Sequence, residues 1–265
     1  MTIRIQTNFT FQCDQPTDVM LQFEAADIPE QHLHEVSSKI FANENFARVP
    51  AQDDIGERIW LNAEGRIDIA YTAQVEIERM TPSVSGLDKL RPRDLPGDTI
   101  KYLFDSRYCQ ADRLQSFVEA EFGDLEGGAR IAAFRDWIAE HLTYEPGSSN
   151  ANTTALDSFV ERRGICRDFA HVMIALSRAS AIPARYVACY APGVTPQDFH
   201  AVAEVFLKDG DGRAGGAWHL VDATGMAEAA ETVKIGVGRD AADVSFLTSF
   251  GSIQLLDQQV NVITG

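Results

Sequence analysis

The chain opens on an alternation of apolar and polar positions. Ile3, Ile5, Phe9 and Phe11 recur with period two, and Val19, Leu21 and Phe23 repeat the pattern. Ile59 and Leu61 flank Trp60, Asn62-Ala63-Glu64-Gly65 reads as a turn, and Ile67, Ile69, Tyr71, Val75 and Ile77 resume the alternation. Period two sends successive side chains to opposite faces, so these segments predict half-buried strands of an antiparallel sheet. The stretch from His32 to Phe41 tolerates a helix but lies among strands, and it is read as one more strand.

Pro82, Pro92 and Pro96 then deny any regular element, because proline lacks an N–H and fixes φ. A boundary is placed near residue 105. Beyond it the period becomes helical. Leu114, Phe117, Val118 and Phe122 share one face, as do Ile131, Phe134, Ile138 and Leu142. A short helix from Ala155 stops at Gly164. A further one runs from about Cys166 to Ser180, with Phe169, Val172, Met173, Leu176 and Ala179 on its apolar side. Ile182-Pro183 ends it. Strands follow at Arg185 to Tyr190, His200 to Leu207 and Trp218 to Ala223. Helices followed by an antiparallel sheet make an α+β fold rather than an alternating βαβ fold. The expected organisation is an N-terminal antiparallel β-sandwich over residues 1–105 and an α+β domain over residues 106–265.

Composition narrows the function. The 265 residues are 45% hydrophobic and 23% charged, which excludes a disordered chain. The net charge of −16 leaves no basic face for reading phosphates, so no nucleic-acid partner is expected. No apolar run reaches the roughly 18 residues of a transmembrane helix, and the first residues lack the pattern of a signal peptide. The reading is a soluble cytoplasmic protein with no membrane partner. Cys13, Cys109, Cys166 and Cys189 form no CxxC pair, which fits reduced thiols better than a disulfide framework. Nothing in the sequence speaks to oligomeric state.

The candidate chemistry centres on Arg163-Gly164-Ile165-Cys166-Arg167-Asp168. A cysteine opening a helix meets unpaired N–H groups and a partial positive charge, both of which favour the thiolate. The same N–H groups could stabilise an oxyanion. The alternative is a buried structural cysteine. Thiolate acyl chemistry also needs an imidazole, and the imidazole needs an orienting group. The strands beginning at His200 and at Trp218 supply both. With Asp209-Gly210-Asp211-Gly212 as a hairpin centred on Asp211, Glu204 faces Trp218, Val202 faces Leu220 and His200 faces Asp222. Facing residues share one side of the sheet with Cβ atoms about 5 Å apart. His219 has the opposite parity and points away. His171 is about 140° round the helix from Cys166 and is assigned a structural role. Tyr144, ahead of the loop leading to the cysteine helix, is a candidate oxyanion donor. Cys166, His200 and Asp222 have no short ligand spacing, the Asp-Gly repeat lacks the bidentate glutamate of a calcium loop, and Gly236-Val237-Gly238 lacks a third glycine. No metal and no cofactor is expected.

At these residues the sequence resembles the bacterial transglutaminase-like cysteine hydrolases. The matching segments are Ser106 to Asp112, Arg163 to His171, Ile182 to Val187, Asp198-Phe199-His200-Ala201, Asp222-Ala223 and Gly238 to Val244. The resemblance implies a papain-like core with Cys166 as nucleophile, His200 as general base and acid, and Asp222 as orienter. It implies a peptide or amide substrate and a protease or amidase, with transamidation as the same chemistry on a different acceptor. Many relatives have tryptophan where this chain has Val202, and a different run where it has Ala223-Thr224-Gly225-Met226; both are candidate cleft positions. The competing reading is a catalytically silent binding module of the same fold. A thiol redox role lacks a resolving cysteine near Cys166. Residues 1–105 are expected to hold no catalytic group.

Overall fold

A computed structural model describes residues 1–41, 46–208 and 215–265. The alternation at the start of the chain becomes β1 (Thr2–Leu21), β2 (Gln31–Phe41), β3 (Phe46–Pro50) and β4 (Glu57–Ile77). In β1 and β4 the odd-numbered apolar residues, among them Ile3, Phe9, Phe11, Ile59, Ile69 and Val75, form the buried face. Asn62 to Gly65 is not a turn. β4 runs straight through it, and Gly65, at φ 76°, lies opposite an irregularity in β1 between Cys13 and Thr17. The composition that reads as a turn therefore serves a bulge, where glycine supplies the positive φ. The pairing changes from Cys13↔Gly65 to Thr17↔Ala63. That shift is even, so the buried face stays buried on both sides of the bulge.

The strands form one continuous antiparallel hydrogen-bonded sheet region, in which β1 and β4 stay paired along most of their length. Its strands are not confined to the residues before 105. The last strands, β11 (Leu247–Ser249) and β12 (Gln254–Thr264), return to pair with β1, so both ends of the chain build the N-terminal sheet.

Between those ends lie the helices α1 (Gln115–Phe122), α2 (Gly127–His141), α3 (Ala155–Glu161) and α4 (Cys166–Ala179). A 3-10 turn, Ala111–Arg113, precedes α1. α3 starts on a capping box in which Thr154 and Asp157 bond each other's backbone N–H, and it ends at Arg162 in the left-handed conformation. A two-residue parallel pair joins β5 (Thr143–Tyr144) to β6 (Arg163–Gly164). α4 packs on an antiparallel sheet of β7 (Ala184–Tyr190), β8 (His200–Lys208), β9 (Gly216–Val221) and β10 (Val233–Gly238), ordered β10-β7-β8-β9. The fold is α+β, with an N-terminal antiparallel sheet region followed by helices packed on a second sheet.

The two sheets meet over a buried seam. Tyr190 and Ile235 of the second sheet join the apolar core of the first. The Tyr190 hydroxyl donates to the carbonyl of Phe23 at 2.6 Å, and the Gln31 carboxamide pairs with the backbone of Lys234 at 2.7 and 2.9 Å. Among the described residues no helix is long and apolar enough to cross a membrane.

Candidate active site

Cys166 is the first residue of α4, and its placement begins with Gly164. A Cβ at Gly164 would stand 2.6 Å from the Cβ of Asp168, inside any real contact. Glycine thus lets Asp168 fold back over the helix start, where its Oδ2 accepts the N–H of Ile165 at 2.9 Å. This is the carboxylate half of a capping box. Arg167 closes on the other oxygen of Asp168 at 3.0 Å. The first turn of α4 is therefore held, and Cys166 stands partly exposed at its end while Cys13, Cys109 and Cys189 are buried. All four are free thiols. Burial pushes Cys109 up to about 12 and Cys189 well above the ordinary thiol range.

His200 begins β8, opposite Cys189 of β7. Its Nε2 is 3.0 Å from Oδ2 of Asp222. The two residues are not ladder partners, and the expected register is corrected. Glu204 faces Leu220 and Phe206 faces Trp218, two residues away from the predicted pairing. The connection around Asp209 to Gly212, on which that register was centred, lies outside the described residues. Because the shift is even, the faces are those predicted, and β9 ends at Val221, leaving Asp222 in the turn that follows. There its carboxylate collects the backbone N–H groups of Thr224, Met226 and Ala227 at 2.8, 3.0 and 2.8 Å, and the Thr224 hydroxyl at 2.8 Å. Thr224 and the turn were not singled out from the sequence. A short polar residue two positions after an aspartate is the signal that could have found them.

Burial alone would raise the pKa of Asp222, but the hydrogen bonds from His200 and Thr224 outweigh it and hold the carboxyl below its ordinary value. Burial alone would lower that of His200. The hydrogen bond to Asp222 and the neighbouring Cys166, with the charges on both, raise it to about 9. An imidazolium at neutral pH therefore donates from Nε2 to Asp222. Its Nδ1 is buried and without a hydrogen-bond partner among the described residues, and Cys166 is the remaining group acting on the ring. The imidazole is thus clamped on one side and available to the sulfur on the other.

Tyr144 reaches the same place through the short β5–β6 pair, where it lies opposite Gly164. Burial and the neighbouring Cys166 push its hydroxyl up to about 12, so it stays a donor at neutral pH. Cys166, His200 and Tyr144 line one cleft of about 580 Å³. Its far wall includes the stacked rings of Phe199 and Phe246, 4.6 Å between centroids, and Leu255 and Gln258 of β12. Gln22, just beyond β1, also lines it. The cleft therefore draws on the N-terminal sheet, which alternation alone does not disclose. Val202 is not a cleft residue. It is buried with Val187, Leu220 and Val237 on the opposite face of the second sheet.

His171 is buried, stacks on Tyr108 at 5.2 Å and accepts the N–H of Ala241 at 3.2 Å; burial drops its pKa to about 3. His219 faces Val205 on the other parity from His200. Among the described residues no group of three or more His, Cys, Asp or Glu side chains is placed to hold a metal.

Residues 108–223 match the family model described as the transglutaminase-like superfamily. The crystal structure of a candidate cysteine protease from Cytophaga hutchinsonii is 34% identical, covers 99% of this chain and 90% of its own, and superposes with a TM-score of 0.89. An uncharacterized protein of Mycobacterium leprae is 34% identical over 126 residues, 44% of this chain and 42% of its own length. An uncharacterized protein of Mycobacterium tuberculosis is 28% identical over 178 residues, 62% of this chain and 55% of its own length. The chain spans about half the length of these curated relatives. A related structure that follows nearly the whole chain, together with the matched core, places this protein in the transglutaminase-like superfamily.

Proposed function

We propose that the protein is a cysteine hydrolase of amide bonds, with Cys166, His200 and Asp222 as its triad. One observation carries this reading: the buried His200 ring is fixed through Nε2 to Asp222, while its unpartnered Nδ1 is left to Cys166. A histidine kept only for packing has no need of a carboxylate on one nitrogen and an open second nitrogen in a cleft. The candidate cysteine protease from Cytophaga hutchinsonii lends the same direction.

In this mechanism the Cys166 thiolate attacks the substrate carbonyl carbon, and the carbonyl π electrons move to oxygen. The N–H groups at the start of α4 and the Tyr144 hydroxyl are the donors available to that oxyanion. As the tetrahedral intermediate collapses, the C–N bond breaks and imidazolium His200 gives its proton to the leaving amine. The thioester remains on Cys166. Neutral His200 then takes a proton from water as the water attacks, releasing the acid and restoring the thiolate. An amine in place of water completes a transamidation by the same steps. Asp222 keeps the ring oriented and stabilises its charge throughout.

The test is incubation with a pool of peptides, with and without added primary amines, followed by mass spectrometry. Hydrolysed peptides that vanish with Cys166→Ala support the reading, and amine adducts would extend it to transfer. An inert protein whose pool passes through unchanged would point to a binding module instead.

A further inference from the structure

The charged side chains lining the Cys166 cleft are Arg167, Asp198 and His200. The two cations are already paired, Arg167 with Asp168 at 3.0 Å and His200 with Asp222 at 3.0 Å. Asp198 differs. It is exposed, it stands two residues before His200, and among the described residues no lysine or arginine pairs with it. Its carboxylate is nevertheless oriented. Oδ1 accepts the backbone N–H of Phe199 at 2.7 Å and the carboxamide N–H of Gln258, which reaches it from β12. Neither donor uses Oδ2. The charge is felt close to the reacting groups, since it acts on the Tyr144 hydroxyl and His200 acts on it. Partial burial raises the Asp198 carboxyl above its ordinary value, and the Phe199 N–H, Gln258 and His200 do not offset it. Burial acts the same way on Asp53, Asp222 and Asp243, but Lys101, His200 and Arg239 bond to them and hold them low. What Asp198 lacks by comparison is a bonded cation.

We propose that Asp198 is a specificity-determining residue that binds an ammonium group of the substrate, carried near the amide that is cleaved. This rests on the hydrolase reading of the cleft. An ammonium supplies the charge that the carboxylate lacks and donates to Oδ2, while Oδ1 keeps Phe199 and Gln258. The fork of a guanidinium is best met by two open oxygens, whereas an ammonium is a point charge that needs one. An acidic group at the same place would be repelled. The apolar part of the ligand has its own surface. Phe199 follows Asp198 in the chain and stacks on Phe246, and Leu255 lines the same cleft. A lysine stem packs on such surface while its head stays with the carboxylate. The net charge of −16 draws cationic peptides towards the protein as a whole, and Asp198 selects among them in the cleft. Through Gln258 the N-terminal sheet takes part in that selection, although it holds no member of the proposed triad.

The test is a pool of lysine-containing peptides in three forms: unmodified, acetylated on the lysine side chains, and acetylated on the amino termini. Each acetylation removes one kind of ammonium, so the form that loses turnover tells whether a side chain or a terminus is held. The native protein should convert the unmodified pool with a kcat/KM about tenfold or more above that of one acetylated form, the difference carried by KM. Asp198→Asn keeps the size of the side chain, removes its charge and should bring the two KM values together. Equal conversion of all three forms by the native protein, or a preference that persists in Asp198→Asn, overturns the proposal. The first of these needs no variant, so it decides even where Asp198→Asn fails to fold. If the native protein converts no peptide, the hydrolase reading fails by itself. Asp198 is then judged on retention of the three forms by native and Asp198→Asn protein. Retention that favours ammonium-bearing peptides and is lost in the variant supports the proposal, and retention indifferent to acetylation, or none, refutes it.

Discussion

His200 and Asp222 are joined at 3.0 Å although they are not opposite one another in the sheet. The strand carrying Asp222 ends one residue too early, and the turn after it brings the carboxylate back to the ring. The carboxylate is held there by three backbone N–H groups and the Thr224 hydroxyl, so its position does not depend on the histidine.

Asp222→Asn should therefore leave the fold intact and cut turnover by roughly 10²- to 10⁴-fold, the usual range for losing a positioned acid–base group. An amide can hold the wrong imidazole tautomer and cannot stabilise its charge. The pH profile of Cys166 alkylation should change with it, because the carboxylate helps hold His200 at about 9. Circular dichroism and the alkylation profile check both halves. An unchanged profile would remove Asp222 from the proposed triad.

Stability should depend on pH through His200. Its pKa is raised from 6.5 to about 9 on folding. Between those values the folded state binds the extra proton, so this contribution is fully present below about 6.5 and is lost as pH rises through about 9. Asp222 acts at the other end. Its carboxyl is lowered, so its contribution is present above its unfolded value of 3.8 and is lost as pH falls through the lower folded value. Thermal melts from pH 6 to 10 should show a decline that His200→Ala flattens. A decline of the same size in that variant would assign it elsewhere.

Among the four thiols, Cys166 should react fastest with iodoacetamide at neutral pH. It alone is partly exposed and lines the cleft, while Cys13, Cys109 and Cys189 are buried with raised pKa values. Peptide mapping after brief labelling reads this directly. His200→Ala should slow the labelling, since the imidazole beside the thiol is gone while the helix start remains.

Gly164→Ala should damage the site without touching Cys166, His200 or Asp222. The added methyl meets the Asp168 side chain at 2.6 Å, so either the helix start or the Ile165 cap must move. Overpacking of this kind costs about 1–3 kcal/mol. Tm and the Cys166 alkylation rate should both fall. Asp168→Gly, which removes the obstructing Cβ, should partly relieve the clash in the double variant.

Much of this was legible in the residues because secondary structure repeats with a short period. Alternation assigns a strand residue to a face, and the face survives any even slip. That is why β1 keeps its buried side across the bulge at Cys13–Thr17, and why His200 and His219 have opposite parity even though β8 and β9 pair two residues away from the predicted register. The helix over Cys166 was legible for the same reason, with period 3.6. Its opening glycine and aspartate are local in the chain, as is their contact.

Register, partner choice and long-range approach are not local, and tertiary structure decided them. No periodicity says that β11 and β12 leave the second sheet's neighbourhood to pair with β1, since any amphipathic strand satisfies any open edge. Nor does it say that Asp222 reaches His200 from a turn held by Thr224, or that Gln22 lies beside Gly236, more than two hundred residues away, in the wall of the Cys166 cleft. Sequence by itself determined which residues share a face and which types could do the chemistry. The folded chain determined which of them meet, because packing two sheets across a seam brings together residues that no short-range pattern connects.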